Sequence, residues 1–321
     1  MLSSKEALIK TAKNLDYKPE MLEKVHQLLS MLKHIMEIPY LKENLALKGG
    51  TALNLFSFDN VPRLSVDIDL NYIGSVDRTK MLQDRKIICD AIKQIFHQKK
   101  FTLYSSPEQH AGGKMAWSYT SLLGQGGNIE VDLNFMYRRP LWPCLQQKPK
   151  LHFEKEFSVP VLDIHELAAG KLSAFFTRSA SRDLFDTYYL FTHSQLDSAK
   201  LRLAFVVYMA MTTIDISKLN KCQLQYNLLD IRNKLLPVLR QQKLPRKNNE
   251  LKNWADNMLN KITDQISMIL PLQYEEQEFI NLIREKGDIR PHLITDDNKL
   301  QEIILNHPAI KWSTMRTNIK K

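Results

Sequence analysis

Apolar positions recur at helical spacing near the start of the chain. Leu22, Val25, Leu28, Leu29 and Leu32 share one face, so residues 5–38 read as one or two helices. The period then changes. Residues 45–48 (LALK) form a short strand pattern ending at Gly49-Gly50, and Thr51 to Phe56 follow as a short helix. Residues 66–73 (VDIDLNYI) alternate polar and apolar side chains, the signature of a half-buried strand. Residues 77–98 return to helical spacing, with Ile87, Ile88, Ile92, Ile95 and Phe96 on the apolar side. Strand-like segments come next at about 100–105, 115–122 and 128–136, and Gly124, Gly126 and Gly127 place a hairpin turn between the last two.

The stretch 138–160 carries Pro140, Pro143, Pro149 and Pro160 with little periodicity and reads as a connection. From residue 163 the pattern is almost wholly helical, and Asp163 followed by Glu166 is an N-terminal capping pattern. Further helices are expected at 182–193, 197–211, 219–240, 249–268, 272–285 and 297–306. Arg240 to Lys252 reads as a polar loop, and Lys311 to Lys321 as a mobile basic tail. The fold class is therefore α/β: a small mixed sheet in residues 1–160, with N-terminal helices, and a helical C-terminal domain over 161–321.

The candidate chemistry lies on two strands. Residues two apart in a strand share a face about 6.5–7 Å apart, so Asp67 and Asp69 point the same way while Val66, Ile68 and Leu70 point into the core. Adjacent carboxylates repel, and a bound divalent cation removes that penalty. Oxygen ligands of this kind suit Mg²⁺, or Mn²⁺, shared with substrate phosphates. In residues 129–135 (IEVDLNF), Glu130, Asp132 and Asn134 share the polar face. If this strand neighbours 66–73, Asp132 completes a three-carboxylate site able to hold two metal ions; Glu130 competes for that place. Gly49-Gly50, between strand and helix, lets backbone N–H groups approach phosphate oxygens, and Thr51 offers a hydroxyl. The same features, taken one at a time, also fit a tight turn and a solvated acidic strand edge.

Further along, Leu167, Lys171 and Phe175 fall on one helical stripe. A lysine there either snorkels or faces a cleft as a phosphate contact. Ser181 reads as a helix cap with Asp183 in the first turn, and Arg182 and Asp186 as i, i+4 partners.

The order of these parts resembles the polymerase-beta-like nucleotidyltransferases, and more closely their AbiEii/AbiGii toxin family. The residues that carry the resemblance are KGGTALNLF (48–56), Arg63, Ser65, Asp67, Asp69 and Leu70, IEVDLNF, and HELAAGKLSAFFTRSASRDLFDTYYL (165–190). Sixteen residues lie between Gly50 and Asp67, longer than the general superfamily pattern. The resemblance implies phosphate contact at Gly49, Gly50 and Thr51, and metal binding at Asp67, Asp69 and Asp132. It implies a triphosphate contact at Lys171, with Arg182, Asp183 and Asp186 beside the active site. Arg63 and Ser65 are either nucleotide contacts or loop anchors. Asp132 is a general base or a second-metal ligand. The implied protein is a bacterial toxin of a toxin–antitoxin or phage-defence system. It would move a nucleotide from an NTP, with pyrophosphate leaving, to an RNA acceptor such as the tRNA 3′ end, and would have a cognate antitoxin.

Composition narrows the partners. The net charge is +10, which favours a polyanion, and Lys243, Arg246, Lys247, Lys320 and Lys321 are the candidate RNA contacts. Cys89, Cys144 and Cys222 form no CxxC pair, and the histidines form no HExxH, so neither a disulfide scaffold nor a zincin is expected. There is no signal-peptide core in residues 1–19 and no uncharged apolar run of membrane length, so a cytoplasmic protein without membrane contact is expected. Two readings stand beside RNA transfer: the same chemistry on a protein hydroxyl or small molecule, and a non-catalytic nucleic-acid-binding module.

Overall fold

The computed structural model describes residues 4–106, 112–153, 156–216, 219, 224–242 and 244–319. The chain forms two compact units. The first comprises Met1–Arg138, Cys144–Leu162 and Leu236–Leu244; the second comprises Arg139–Pro143, Asp163–Leu235 and Pro245–Lys321. The division is therefore not a single cut near residue 160.

The first unit opens with helices α1 (Lys5–Leu15), α2 (Pro19–Met36) and α3 (Pro39–Asn44). Pro19 starts α2 where its missing N–H costs nothing, and the leucine stripe from Leu22 to Leu32 is buried. Strand β1 (Leu45–Leu47) runs into helix α4 (Gly49–Thr51), which continues as a π-helical stretch through Ala52–Ser57. Then come β2 (Asp67–Tyr72), α5 (Arg78–Gln98), β3 (Thr102–Ser105), β4 (Gly112–Thr120) and β5 (Gly126–Asn134). The connection expected at 138–160 contains two further short strands, β6 (Leu145–Gln147) and β7 (Val159–Val161). All seven join one mixed sheet in the order β3-β4-β5-β2-β1-β7-β6, with β2 parallel to β5 and β1 parallel to β7.

Alternation over residues 67–70 of β2 and 129–134 of β5 gives the sheet two different faces. Ile68, Leu70, Ile129, Val131 and Leu133 are buried, while Asp67, Asp69, Glu130 and Asp132 are half-buried. Helices α2 and α5 pack against this sheet. Ile88, Ile92, Ile95 and Phe96 of α5 are buried, and Phe96 stacks on Trp117 with ring centroids 4.6 Å apart. Each such side chain contributes roughly 1.5–3 kcal/mol by leaving water. Ile87, expected on that side, is 51% exposed: a stripe through 88, 92, 95 and 96 leaves its neighbour on the outer face.

The second unit holds α6 (Ile164–Arg178), α7 (Ser181–His193), α8 (Ser198–Ala210), α9 (Leu228–Asp230), α10 (Asn248–Gln265), α11 (Tyr274–Asn281), α12 (Asn298–Leu305) and α13 (Pro308–Ile319). Asp163 caps α6 by accepting from the His165 N–H. Of the helix expected at 219–240, residues 220–223 lie outside the described residues, 224–227 are not helical, and 228–238 form α9 followed by π-helical and 3₁₀ turns. The segment expected as a basic tail is helical from Lys311 through Ile319, continuing the helix that starts at Pro308. Lys243, Lys320 and Lys321 lie outside the described residues. Among the described residues no helix is long and apolar enough to cross a membrane.

Candidate active site

In the first unit the site is built where β1 ends and β2 and β5 run side by side. The Lys48 N–H donates to the Asp69 carbonyl at 2.9 Å, which fixes the end of β1 against β2. The chain then turns through Gly49 at φ +71°, a left-handed conformation that glycine adopts without strain. A Cβ on Gly49 would lie 2.3 Å from Asp69 Oδ2, so the glycine also keeps the space beside this carboxylate clear. A Cβ on Gly50 would meet Arg63 Nη2 at 2.6 Å and Ser65 Oγ at 3.0 Å.

Arg63, Ser65 and Thr51 are all buried behind this turn. The Thr51 hydroxyl lies 2.9 Å from Ser65 Oγ and donates to the Asp67 carbonyl at 2.5 Å. Arg63 Nη1 donates to the Leu64 carbonyl at 2.9 Å. Thr51 and Ser65 thus tie the glycine turn to the strand that carries Asp67, and the Arg63 guanidinium packs against Gly50. The long loop before them is anchored too. Tyr17 donates to the Val61 carbonyl at 2.7 Å, and the Leu64 N–H donates to the Val238 carbonyl at 2.8 Å.

The acids follow from strand register. β2 and β5 pair in parallel with Asp67 opposite Glu130 and Asp69 opposite Asp132. All four share the polar face. Strand β4 pairs antiparallel to β5 and brings Lys114 opposite Asp132. Lys114 Nζ bonds Glu130 Oε2 at 2.7 Å. That hydrogen bond is the main cause holding the Lys114 ammonium above its ordinary pKa; burial opposes it, and the charges of Glu130, Asp67 and Asp69 add to it. Lys114 was not among the expected site residues. Its strand does alternate Lys114, Ala116, Ser118 against Met115, Trp117, Tyr119, which places the lysine on the polar face.

Among the described residues no three acidic, histidine or cysteine side chains converge closely enough to enclose a metal ion. Ionised carboxylates without a cation between them gain nothing by converging. The donor set itself fits a hard divalent cation: carboxylate oxygens from paired strands, on one face, beside a glycine that leaves the approach to Asp69 open.

In the second unit, Leu167, Lys171 and Phe175 are buried on α6 as one stripe. The lysine neither snorkels nor ends alone. Its ammonium pairs with Asp183 Oδ1 at 3.0 Å and Asp186 Oδ2 at 2.7 Å, both on α7. Arg178 Nε adds a 2.7 Å bond to Asp183 Oδ2. Burial pushes the Asp183 carboxyl up, but Lys171 and Arg178 outweigh it and hold it below its ordinary value. Arg182 is half-buried on α7. Ser181 is not the cap of α7. Ala180 holds that position without a side-chain bond, and the Asp230 carboxylate instead accepts from the Ser181 N–H at 2.8 Å. Ser181 Oγ in turn donates to the Asp230 carbonyl at 3.1 Å.

The glycine turn and the in-register acids lie together on one α/β sheet. The model of the AbiEii family (nucleotidyl transferase AbiEii toxin, type IV toxin–antitoxin system) matches residues 30–271. The chain belongs to this family: it is a nucleotidyltransferase toxin, a class that implies a nucleotide substrate and an antitoxin partner. No curated protein matches the sequence. Among solved structures, the nucleotidyltransferase toxin MenT4 of Mycobacterium tuberculosis H37Rv shares the fold. Its TM-score is 0.59 at 16% identity, covering 95% of this chain and 98% of that one.

Proposed function

We propose that the toxin transfers a nucleotide from an NTP to RNA, with the tRNA 3′ end as the acceptor, using Mg²⁺ held by Asp67, Asp69 and Asp132. The observation that carries this reading is the parallel register of β2 and β5, which sets Asp69 beside Asp132 with Asp67 on the same face. A divalent cation there supplies neutralisation of the triphosphate and activation of the attacking hydroxyl. The protein's own part is orientation. Gly49 keeps side-chain atoms away from Asp69, and the backbone at Gly49 and Gly50 is the candidate phosphate cradle. Thr51 and Ser65 hold that turn from behind, with Arg63 packed against Gly50. In the second unit, Lys171 is the candidate phosphate contact, oriented by Asp183 and Asp186.

The RNA acceptor is supported by the net charge of +10 and by exposed Arg246 and Lys247 before α10. The assay is incubation of the protein with each labelled NTP, Mg²⁺ and total RNA, resolved on a gel. Label on an RNA band of tRNA size supports the reading. Label on a protein band and never on RNA replaces it with transfer to a protein hydroxyl, and no labelled product with any NTP removes it.

A further inference from the structure

Lys114 introduces a positive charge onto a face otherwise defined by Asp67, Asp69, Glu130 and Asp132. Its position is set by backbone pairing, because β4 places it directly across from Asp132. Its ammonium is not directed at Asp132, however. It bonds Glu130, the residue opposite Asp67, at 2.7 Å. The pair is partly open to water, with side-chain exposures of 58% and 35%. An ion pair this exposed contributes little to stability. Its consequence is local: Glu130 is held toward β4, away from β2, and a unit positive charge stands beside the acids that would receive a cation.

We propose that Lys114 is a positioning residue that sets the cation affinity of the acid face and excludes Glu130 from it, leaving Asp132 as the third carboxylate. The inference rests on the reading of Asp67, Asp69 and Asp132 as metal ligands. Two effects act in one direction. Removing the lysine charge lowers the repulsion felt by an incoming divalent cation, which interacts with twice the strength of a monovalent one. Removing the bond also frees Glu130 to enter the site. Both tighten cation binding, and the first part weakens as salt rises. With the lysine in place the cation is held weakly enough to exchange, and only the carboxylates suited to the nucleotide complex engage it.

The test is the dissociation constant for Mn²⁺, read from the electron paramagnetic resonance of free Mn²⁺, with no nucleotide present. The variants are Lys114→Met, Lys114→Arg, Lys114→Met with Glu130→Gln, and Asp69→Asn, each checked for unchanged melting. Lys114→Met is expected to bind Mn²⁺ about tenfold more tightly at low salt. Lys114→Arg, which keeps the charge, stays near the parent, and the added Glu130→Gln reverses part of the gain. Asp69→Asn weakens binding. Should Lys114→Met bind no more tightly while Asp69→Asn still weakens binding, the role given to Lys114 is wrong and the metal site stands. Should Asp69→Asn leave Mn²⁺ binding unchanged, the metal reading itself fails, and this inference with it.

Discussion

Asp69 and Asp132 stand opposite one another on neighbouring parallel strands, although 63 positions separate them in the chain by their own numbers (132 − 69). Gly49 closes against the first of them, at a distance that admits no side chain.

Gly49→Ala should be both strained and inactive. The residue would sit at φ +71° and drive its Cβ to 2.3 Å from Asp69 Oδ2, so the carboxylate must move. A cost of about 1 kcal/mol or more is expected from the backbone alone. Denaturant unfolding gives the stability loss, and nucleotidyl transfer measured below the transition gives the displacement of Asp69. Full activity in Gly49→Ala would show that the turn does not set the Asp69 position.

Lys171→Ala leaves Asp183 and Asp186 buried without their shared cation. Breaking a buried pair from one side costs about 3–5 kcal/mol, so the unfolding midpoint should fall sharply. If the lysine also contacts phosphate, transfer by the folded variant should drop by up to roughly 10²-fold. The parent carries a related acid sensitivity. The Asp183 pKa is lowered on folding, so its contribution is present above the ordinary value of 3.8 and is lost as pH falls below it. Lys171→Ala with parental stability would contradict the pairing.

Glu166 has the opposite sign. Its carboxyl is buried, accepting from the Leu141 N–H at 3.0 Å and the Trp142 N–H at 3.3 Å, and burial pushes its pKa up to about 8. The folded state therefore holds a proton that the unfolded state releases near 4.5. Stability attributable to this group should decline as pH rises between those values. Unfolding curves across that range should show a shallower pH dependence in Glu166→Gln than in the parent. Equal slopes would mean Glu166 is not protonated in the folded protein.

Asp230→Ala removes the acceptor at the N-terminus of α7. A lost helix cap typically costs about 1 kcal/mol. The Asp230 carboxyl is held at about 2: burial raises it, but Lys234 and the Ser181 donors outweigh burial. Its contribution should therefore persist to below pH 4 in the parent. Ser181→Ala, which keeps the backbone N–H, should cost less, and the reverse order in thermal unfolding would return the cap to Ser181.

The sequence carried the features with short-range causes. The alternation of β2 and β5 was legible because one face is apolar and the other acidic, and the glycine turn because few other residues make it. Short-range pattern failed where the cause lies elsewhere in the chain. β6 and β7 are three residues each, one containing Pro160, and gain strand character only by pairing. The α7 cap arrives from Asp230, far along the chain, so Ser181 looked like the cap by default. Lys171 showed as a lysine on an apolar stripe, but its partners become visible only when α7 is packed on α6. Lys114 was missed because cross-strand register, not spacing, brings it to Asp132.

The most direct test of the central claim compares single-turnover nucleotidyl transfer in Asp69→Asn, Asp132→Asn and Glu130→Gln, all with parental melting behaviour. Each substitution leaves the buried face of its strand intact. Asp69→Asn and Asp132→Asn are expected to lose at least about 10²-fold in rate, the scale of removing a group that stabilises transition-state charge. Glu130→Gln, whose carboxylate is turned to Lys114, should remain within several-fold of the parent. Near-parental transfer by Asp132→Asn, with Glu130→Gln inactive, would contradict the assignment of the in-register pair as the catalytic acids.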